Sequence, residues 1–339
     1  MFRKLVIYMV LMASVHLTFS AFAKPPFEKT LVDIEKAMQT YHYSPQELNS
    51  PEYKKMQAKM RALAESATSK KEFIDGFNHM WWEGPFSHVR IDEANQSAEA
   101  LAEFLDKMNV GGNGAILTWE GNVAVLTVNT MMGQDTIKQI DAAYDEINQM
   151  NAAALIIDLR QNNGGAFAVK PLVSHLIESP IDSGVFVSQA WNANNSNPPT
   201  AKDMKELAAW EGWSIKAFWE DAQNNNITRI QFQPATPYFG GRVFVLISKT
   251  TASAGELAAD ALLALPNATL IGETTAGEML SQKMYDVAGG FQIFLPIADY
   301  YSVNSGRIEG NGVKPHISVP STDAMDVALS TITDCCLNQ

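Results

Sequence analysis

Three short stretches place reactive residue types where a fold could use them. Asp158-Leu159-Arg160-Gln161-Asn162-Asn163-Gly164-Gly165 follows the apolar run Leu155-Ile156-Ile157, so a buried strand ends in a polar, glycine-rich turn. Backbone N–H groups left free at such a turn can hold the oxyanion of an acyl-transfer intermediate, although a glycine pair serves a tight turn equally well. Val243–Ile247 runs into Ser248-Lys249-Thr250-Thr251-Ala252-Ser253-Ala254-Gly255-Glu256. This delivers Ser253 to the first turn of an Ala-rich helix, where the helix dipole and the Ala254 N–H favour negative charge. A serine there is either a nucleophile or an ordinary N-cap. Phe86-Ser87-His88 supplies the third element, because a serine nucleophile needs a base. Of the other histidines, His16 lies in the leader, and His42, His79 and His175 sit in helical contexts without polar company.

The elements that must position these residues fall into two textures. From Lys29 to about Met80 apolar residues recur at three- and four-residue steps (Leu31, Ile34, Met38, Tyr41; Met56, Met60, Leu63), which predicts helices. Thr68-Ser69 marks the start of a helix carrying Phe73, Phe77 and Met80. Ser97–Met108 reads as one further helix, and Gly111-Gly112-Asn113-Gly114 as a boundary. Beyond it strands and helices alternate: a hairpin over Ala115–Trp119 and Val123–Val128, a helix over Asp135–Met150 and a strand over Ala154–Leu159. A helix over Ala168–Glu178, the strand Arg242–Ile247 and a helix over Ala254–Leu265 follow, then short strands near 269–271, 292–296 and 317–319. Such interleaving predicts an α/β core. Residues 192–226, with Trp210, Trp213 and Trp219 between Asn- and Pro-rich linkers, read as a helical insertion, either packed down or a lid.

The 339-residue chain carries a net charge of −12, which disfavours nucleic acid and anionic membranes as partners. Residues 1–23 have the form of an export signal: Arg3 and Lys4, an apolar stretch from Leu5 to Phe19, then Ala21-Phe22-Ala23. The expected product begins at Lys24 and is exported, periplasmic or secreted, with no stable membrane span once the signal is removed. The two cysteines, Cys335 and Cys336, are adjacent and would close no useful loop. Walker, His-Glu-x-x-His, Cys-x-x-Cys and Gly-x-Ser-x-Gly patterns are absent, so neither metal nor organic cofactor is expected.

Taken in order, the strand-DLRQNNGG stretch, TASAGE at 251–256, IGETTAG at 271–277 and IEGNGVKP at 308–315 resemble the C-terminal processing peptidases, or tail-specific proteases. That family includes the tricorn core and the interphotoreceptor retinoid-binding modules. The resemblance covers about 114–320, with Ser87-His88 ahead of it. It implies an α/β fold similar to the crotonase/Clp protease spiral, preceded by a small helical bundle. It also implies Ser253 as nucleophile, with an oxyanion hole from the N–H groups of Ala254 and of Gly164 or Gly165. Bacterial processing proteases use a Ser–Lys dyad, but the segment that would hold the lysine ends in Glu278, and Lys249 and Lys283 lie off register. The tricorn-like arrangement fits better: His88 as base, with Ser87 and Glu309 orienting it. The motif's usual Pro-Asp ending is replaced by Pro315-His316, and about 25 residues between 89 and 114 are too few for a peptide-binding PDZ domain.

The reading is therefore a signal peptide (1–23), an N-terminal helical subdomain (24–110) and a catalytic domain (111–334) with the 192–226 insertion. It predicts an exported serine endopeptidase acting on peptides or proteins, possible as a homo-oligomer. Two rivals use the same fold: a non-catalytic carrier of a lipophilic ligand, and a small-molecule esterase or amidase.

Overall fold

The computed structural model describes residues 27–195 and 197–336. The expected leader at 1–23 lies outside them. In chain order the elements are α1 (Glu28–Tyr41), α2 (Pro51–Ser66), α3 (Lys70–Trp82), β1 (Arg90–Glu93), α4 (Ala98–Lys107), β2 (Ala115–Glu120), β3 (Val123–Val128) and α5 (Gln134–Gln149). There follow β4 (Ala154–Asp158), α6 (Val169–Ser174), β5 (Ile181–Ser188), α7 (Gln189–Asn194), α8 (Ala201–Lys205), α9 (Ile215–Asn224) and β6 (Ile227–Phe232). The last third holds β7 (Arg242–Ile247), α10 (Ala254–Leu263), β8 (Ala268–Gly272), β9 (Ser281–Val287), β10 (Phe291–Ser302), β11 (Gly306–Arg307), β12 (Ile317–Ser318) and α11 (Ala324–Cys336).

Two sheets organise this α/β fold. The first has strand order β12-β8-β7-β4-β3-β2, parallel except for the β2–β3 hairpin. Its central strands, Ala-Leu-Ile-Ile and Val-Phe-Val-Leu-Ile, are continuous apolar runs because both faces are covered. Leu155, Ile157, Val243 and Val245 pack under α5, α6 and α10, whereas Ile156, Phe244 and Leu246 pack on Ala324, Ala328 and Ile332 of α11. The second sheet is antiparallel and built around the twelve-residue β10. It has the order β1-β10-β5-β6, with β9 and β11 also pairing with β10.

The N-terminal helices α1–α3 pack together as the expected small bundle, which shares its core with the second sheet. Phe27, Phe73 and Phe77 share a core with Phe291, Ile293 and Leu295 of β10, with Phe27 and Phe73 stacked at 4.5 Å. Ser50 and Ser69 cap α2 and α3 by accepting from Tyr53 N and Glu72 N. The stretch 24–110, expected as helical, also contributes β1, which pairs antiparallel with Phe291–Phe294. Residues 89–114 are taken up by β1, α4 and their connections. No helix among the described residues is long and apolar enough to cross a membrane.

Candidate active site

Parallel strands deliver one half of the site. β4 and β7 are neighbours, so the turns leaving their C-terminal ends meet, the usual place for a ligand site in a parallel sheet. Ser253 sits between β7 and α10 with φ 51° and ψ −122°. An N-cap residue usually has extended φ/ψ; Ser253 departs from this, although the Glu256 carboxylate accepts its N–H as in a capping box. The result is a strained strand-to-helix elbow of the kind that pushes a side chain out of the turn.

Two buried polar side chains hold that elbow in place. Asn162, fully buried, donates from Nδ2 to Val128 O and accepts Gly164 N at Oδ1, while its carbonyl accepts Ala252 N. Glu256 accepts from Ser253 N at 3.1 Å, Glu278 N at 2.8 Å, Gly277 N at 2.7 Å and Thr275 Oγ1 at 2.5 Å. Burial pushes its carboxyl above the ordinary range, against the pull of those four donors. Neither residue was singled out from the sequence. The Ser-x-x-Glu spacing of a capping box could have flagged Glu256. Nothing distinguishes Asn162 from an ordinary turn asparagine.

Gly164 and Gly165 play different parts. A Cβ on Gly164 would lie 2.7 Å from Ser253 Cβ and 3.3 Å from Ala254 N, at φ 100°, so the glycine turn touches the elbow directly. The Gly164 N–H is already used by Asn162 Oδ1. This narrows the pair of candidate oxyanion donors to Gly165 and Ala254, which both line the cavity in front of Ser253.

The other half hangs on the antiparallel sheet. Ser87-His88 immediately precedes β1, Glu309 follows β11, and Met279-Leu280 precedes β9; all three strands pair with β10. Ser87 Oγ lies 2.6 Å from His88 Nδ1. Glu309 is buried, accepts Met279 N at 2.7 Å and Leu280 N at 3.2 Å, and also bonds the Ser87 hydroxyl. Burial raises its carboxyl and those hydrogen bonds oppose the rise. A carboxylate receiving the Ser87 proton leaves Ser87 Oγ to accept from His88 Nδ1–H. That fixes the tautomer with the Nε2 lone pair free. His88 has φ 62° and lines the same cavity as Ser253. Loss of solvent, with Arg90 nearby, lowers its imidazole to about 4.

The remaining candidates lie elsewhere. Lys249 is exposed and paired with Glu273 at 3.1 Å; Lys283 lies over the rings of Trp219 and Tyr285. Among the described residues no lysine lines the cavity, and Glu278 is exposed. His316 accepts Leu270 N at Nδ1 while its own N–H donates to Leu270 O, tying the Pro-His turn to β8. His175, expected to lack polar company, bonds Asp141 Oδ1 at 3.0 Å and Pro237 O at 2.7 Å. No metal-holding cluster of His, Cys, Asp or Glu occurs among the described residues.

The α/β fold is similar to that of a C-terminal processing protease. The photosystem II D1 C-terminal processing protease superposes with a TM-score of 0.52 at 12% identity over 86% of this chain and 92% of that one. A lipoprotein from Streptococcus agalactiae superposes at 0.56, with 15% identity over 97% and 99%. The chain belongs to peptidase family S41, whose profile matches residues 122–319. It is 33% identical over 248 residues to carboxyl-terminal-processing peptidase 1, chloroplastic, of Arabidopsis thaliana, covering 73% of this chain and 42% of that protein. It is 26% identical over 204 residues to the carboxy-terminal processing protease CtpA of Bacillus subtilis, covering 60% and 36%. The chain thus spans about two fifths or less of the length of these relatives.

Proposed function

We propose that the protein is an exported serine-type endopeptidase that cleaves peptides or proteins through an acyl-enzyme on Ser253. The observation that carries this reading is the meeting of Ser253 and His88, both at positive φ, on one cavity. His88 Nε2 takes the Ser253 hydroxyl proton as Oγ attacks the scissile carbonyl, and then returns it to the leaving amine. The Gly165 and Ala254 N–H groups hold the oxyanion. Ser87 and Glu309 touch no reacting atom in this scheme; they hold the imidazole in its tautomer, the part a buried aspartate plays in a Ser-His-Asp triad. Water repeats the sequence to release the acyl half. The chemistry asks for no cofactor. Export to the periplasm or beyond follows the leader-like residues 1–23, and cleavage after Ala23 is checked by the mass of the mature N-terminus.

Labelling with a fluorophosphonate, read by intact mass, tests the mechanism. Wild type is expected to gain one adduct that Ser253→Ala and His88→Ala both abolish, while Glu278→Ala still labels. An adduct on His88→Ala at the wild-type rate would sink the histidine base. No adduct on folded wild type would favour a carrier of lipophilic ligands.

A further inference from the structure

The cavity in front of Ser253 encloses about 370 Å³, far more than a methyl side chain can fill. Away from the reactive corner its walls are mostly hydrocarbon: Leu257, one turn along α10 from Ser253, faces it, as do Leu105, Met132 and Met284, with Asn163, Ser281 and Gln282 as uncharged polar neighbours. The insertion closes it with Trp213, Phe218 and Trp219. Among the described residues no carboxylate lines the space. Its one formal charge, Arg90, is bonded to Asp92, and its guanidinium lies 3.6 Å over the Phe294 ring.

These rings are set before any substrate arrives. Trp213 packs edge-on to Phe167 at 6.0 Å and Phe218 edge-on to Phe186 of β5 at 4.9 Å, so the insertion interlocks with the α/β core. Hydrogen bonds tie it as well: Trp210 N donates to Arg229 O, Ile215 N to the Asp106 carboxylate, and the Trp219 indole Nε1 to Gln282 O. A pre-formed apolar pocket rewards a side chain that fills it, since no ordering remains to be done. A basic residue would find no counter-charge, and an acidic one would be stripped of water.

The geometry points to a specificity pocket for a large apolar side chain, aromatic or long aliphatic, on the residue whose carbonyl Ser253 attacks. Trp213 and Phe218 of the insertion form its far wall. This inference rests on the peptidase reading above. Its test uses peptide 4-nitroanilides that differ only in the residue before the anilide: Phe, Leu, Ala, Lys or Glu. Fluorophosphonate labelling serves as a check that does not depend on that residue. Burial of the larger apolar surface is expected to raise kcat/KM for Phe and Leu about 100-fold over Ala, with Lys and Glu below Ala. Leu105→Trp, which narrows the pocket, is expected to cut the Phe/Ala ratio at least tenfold. Trp213→Ala, which removes a wall, cuts it as well, so one misfolded variant leaves the other as the test. The ratio is the readout, not the absolute rate. Labelled Ser253 with a Phe/Ala ratio near one, or with Lys or Glu preferred, overturns the pocket and leaves the peptidase standing. Absence of both label and cleavage overturns both.

Discussion

Ser253 and Gly165 stand at the ends of adjacent parallel strands, whereas Ser87, His88 and Glu309 hang on strands that share β10 in an antiparallel sheet. The first half is set by backbone geometry: a strained elbow, a glycine turn in van der Waals contact with it, and two buried side chains, Asn162 and Glu256, that bind the loops together. The second half is set by side-chain chemistry, in a chain of hydrogen bonds from Glu309 through Ser87 to an imidazole whose charge depends on solvent and neighbours. In the proposed mechanism the nucleophile half fixes position and the base half fixes protonation. Damage to the two should therefore show in different observables.

Removing the reacting groups breaks both halves alike. Ser253→Ala and His88→Ala are each expected to lower kcat by about 10⁵–10⁶, with almost no further loss in the double variant, since the two act as a unit. Single-turnover acylation measures this. Additive losses would mean that the halves do not meet in one reaction.

The orienting chain should respond less. Glu309→Gln keeps the shape but loses the carboxylate that receives the Ser87 proton, so the His88 tautomer is no longer enforced. A loss of about 10²–10⁴ in kcat is expected by analogy with an Asp→Asn change in a serine triad. Ser87→Ala should fall in the same range or below it, and imidazole ¹⁵N shifts of His88 should report the tautomer change in both. A Glu309→Gln enzyme within twofold of wild type would reduce Glu309 to a loop clamp for Met279 and Leu280.

Gly164→Ala strikes the other half. The new methyl would overlap Ser253 Cβ at a backbone angle that L-residues avoid, with an expected cost of about 1–3 kcal/mol in stability. The elbow would shift with it, and kcat should drop tenfold or more while the acid limb of the pH profile stays where it was. Movement of that limb would show that the halves are not separable.

The sequence made the two halves unequally legible. Parallel strands buried on both faces are short apolar runs, so β4 and β7 could be read almost to the residue, and with them Ser253 and the glycine turn. The antiparallel strands β5, β6 and β9 were not anticipated, and β10 was seen only as a fragment. β10 is buried along nearly its whole length, so it lacks the alternation that marks a half-exposed strand. Ile-Thr-Arg-Ile-Gln-Phe of β6 does alternate in burial, but it follows a run of asparagines that reads as linker. His88 and Glu309 lie 221 positions apart in sequence, and β1 and β11 bring them together only through β10. Their pairing was therefore available only through resemblance; Glu309, beside a glycine-rich turn, is buried. The expected helix over Ala168–Glu178 shrinks to Val169–Ser174, where Pro171 still fits the first turn.

Proton linkage gives a smaller effect that belongs to the base half. With the imidazole at about 4, kcat/KM should hold to lower pH than an ordinary histidine near 6.5 would allow, halving near pH 4. Stability obeys a different sum. His88 and His42, both lowered to about 4, take up a proton more readily when unfolded, so they make stability fall as pH drops from about 6.5 to 4. Asp299, raised to about 6 by burial, holds its proton better when folded. Its contribution is present below about 3.8 and is lost as pH rises towards 6. Two histidines outweigh one aspartate, so denaturation midpoints should fall as pH drops from 6 to 4, while kcat/KM stays near its plateau until close to pH 4. Coincident curves would mean that acid inactivation is unfolding.

Arg90 sharpens the point with the smallest change. After loss of solvent it is the second cause lowering the His88 imidazole, and it is half exposed and paired with Asp92. Arg90→Gln removes a positive neighbour, so protonation of His88 becomes easier and the acid limb should move to higher pH, by less than one unit at an exposed site. Asp92→Asn should move it the other way, because Arg90 then faces the imidazole without its counter-charge. Both displacements should shrink as salt is raised from 0.01 to 0.5 M, where the screening length falls below the size of the site. Neither change touches the Ser253 elbow, so the pH-independent rate of acylation should be governed by the same backbone geometry as in wild type. A limb that ignores both charges would leave desolvation alone to keep His88 neutral.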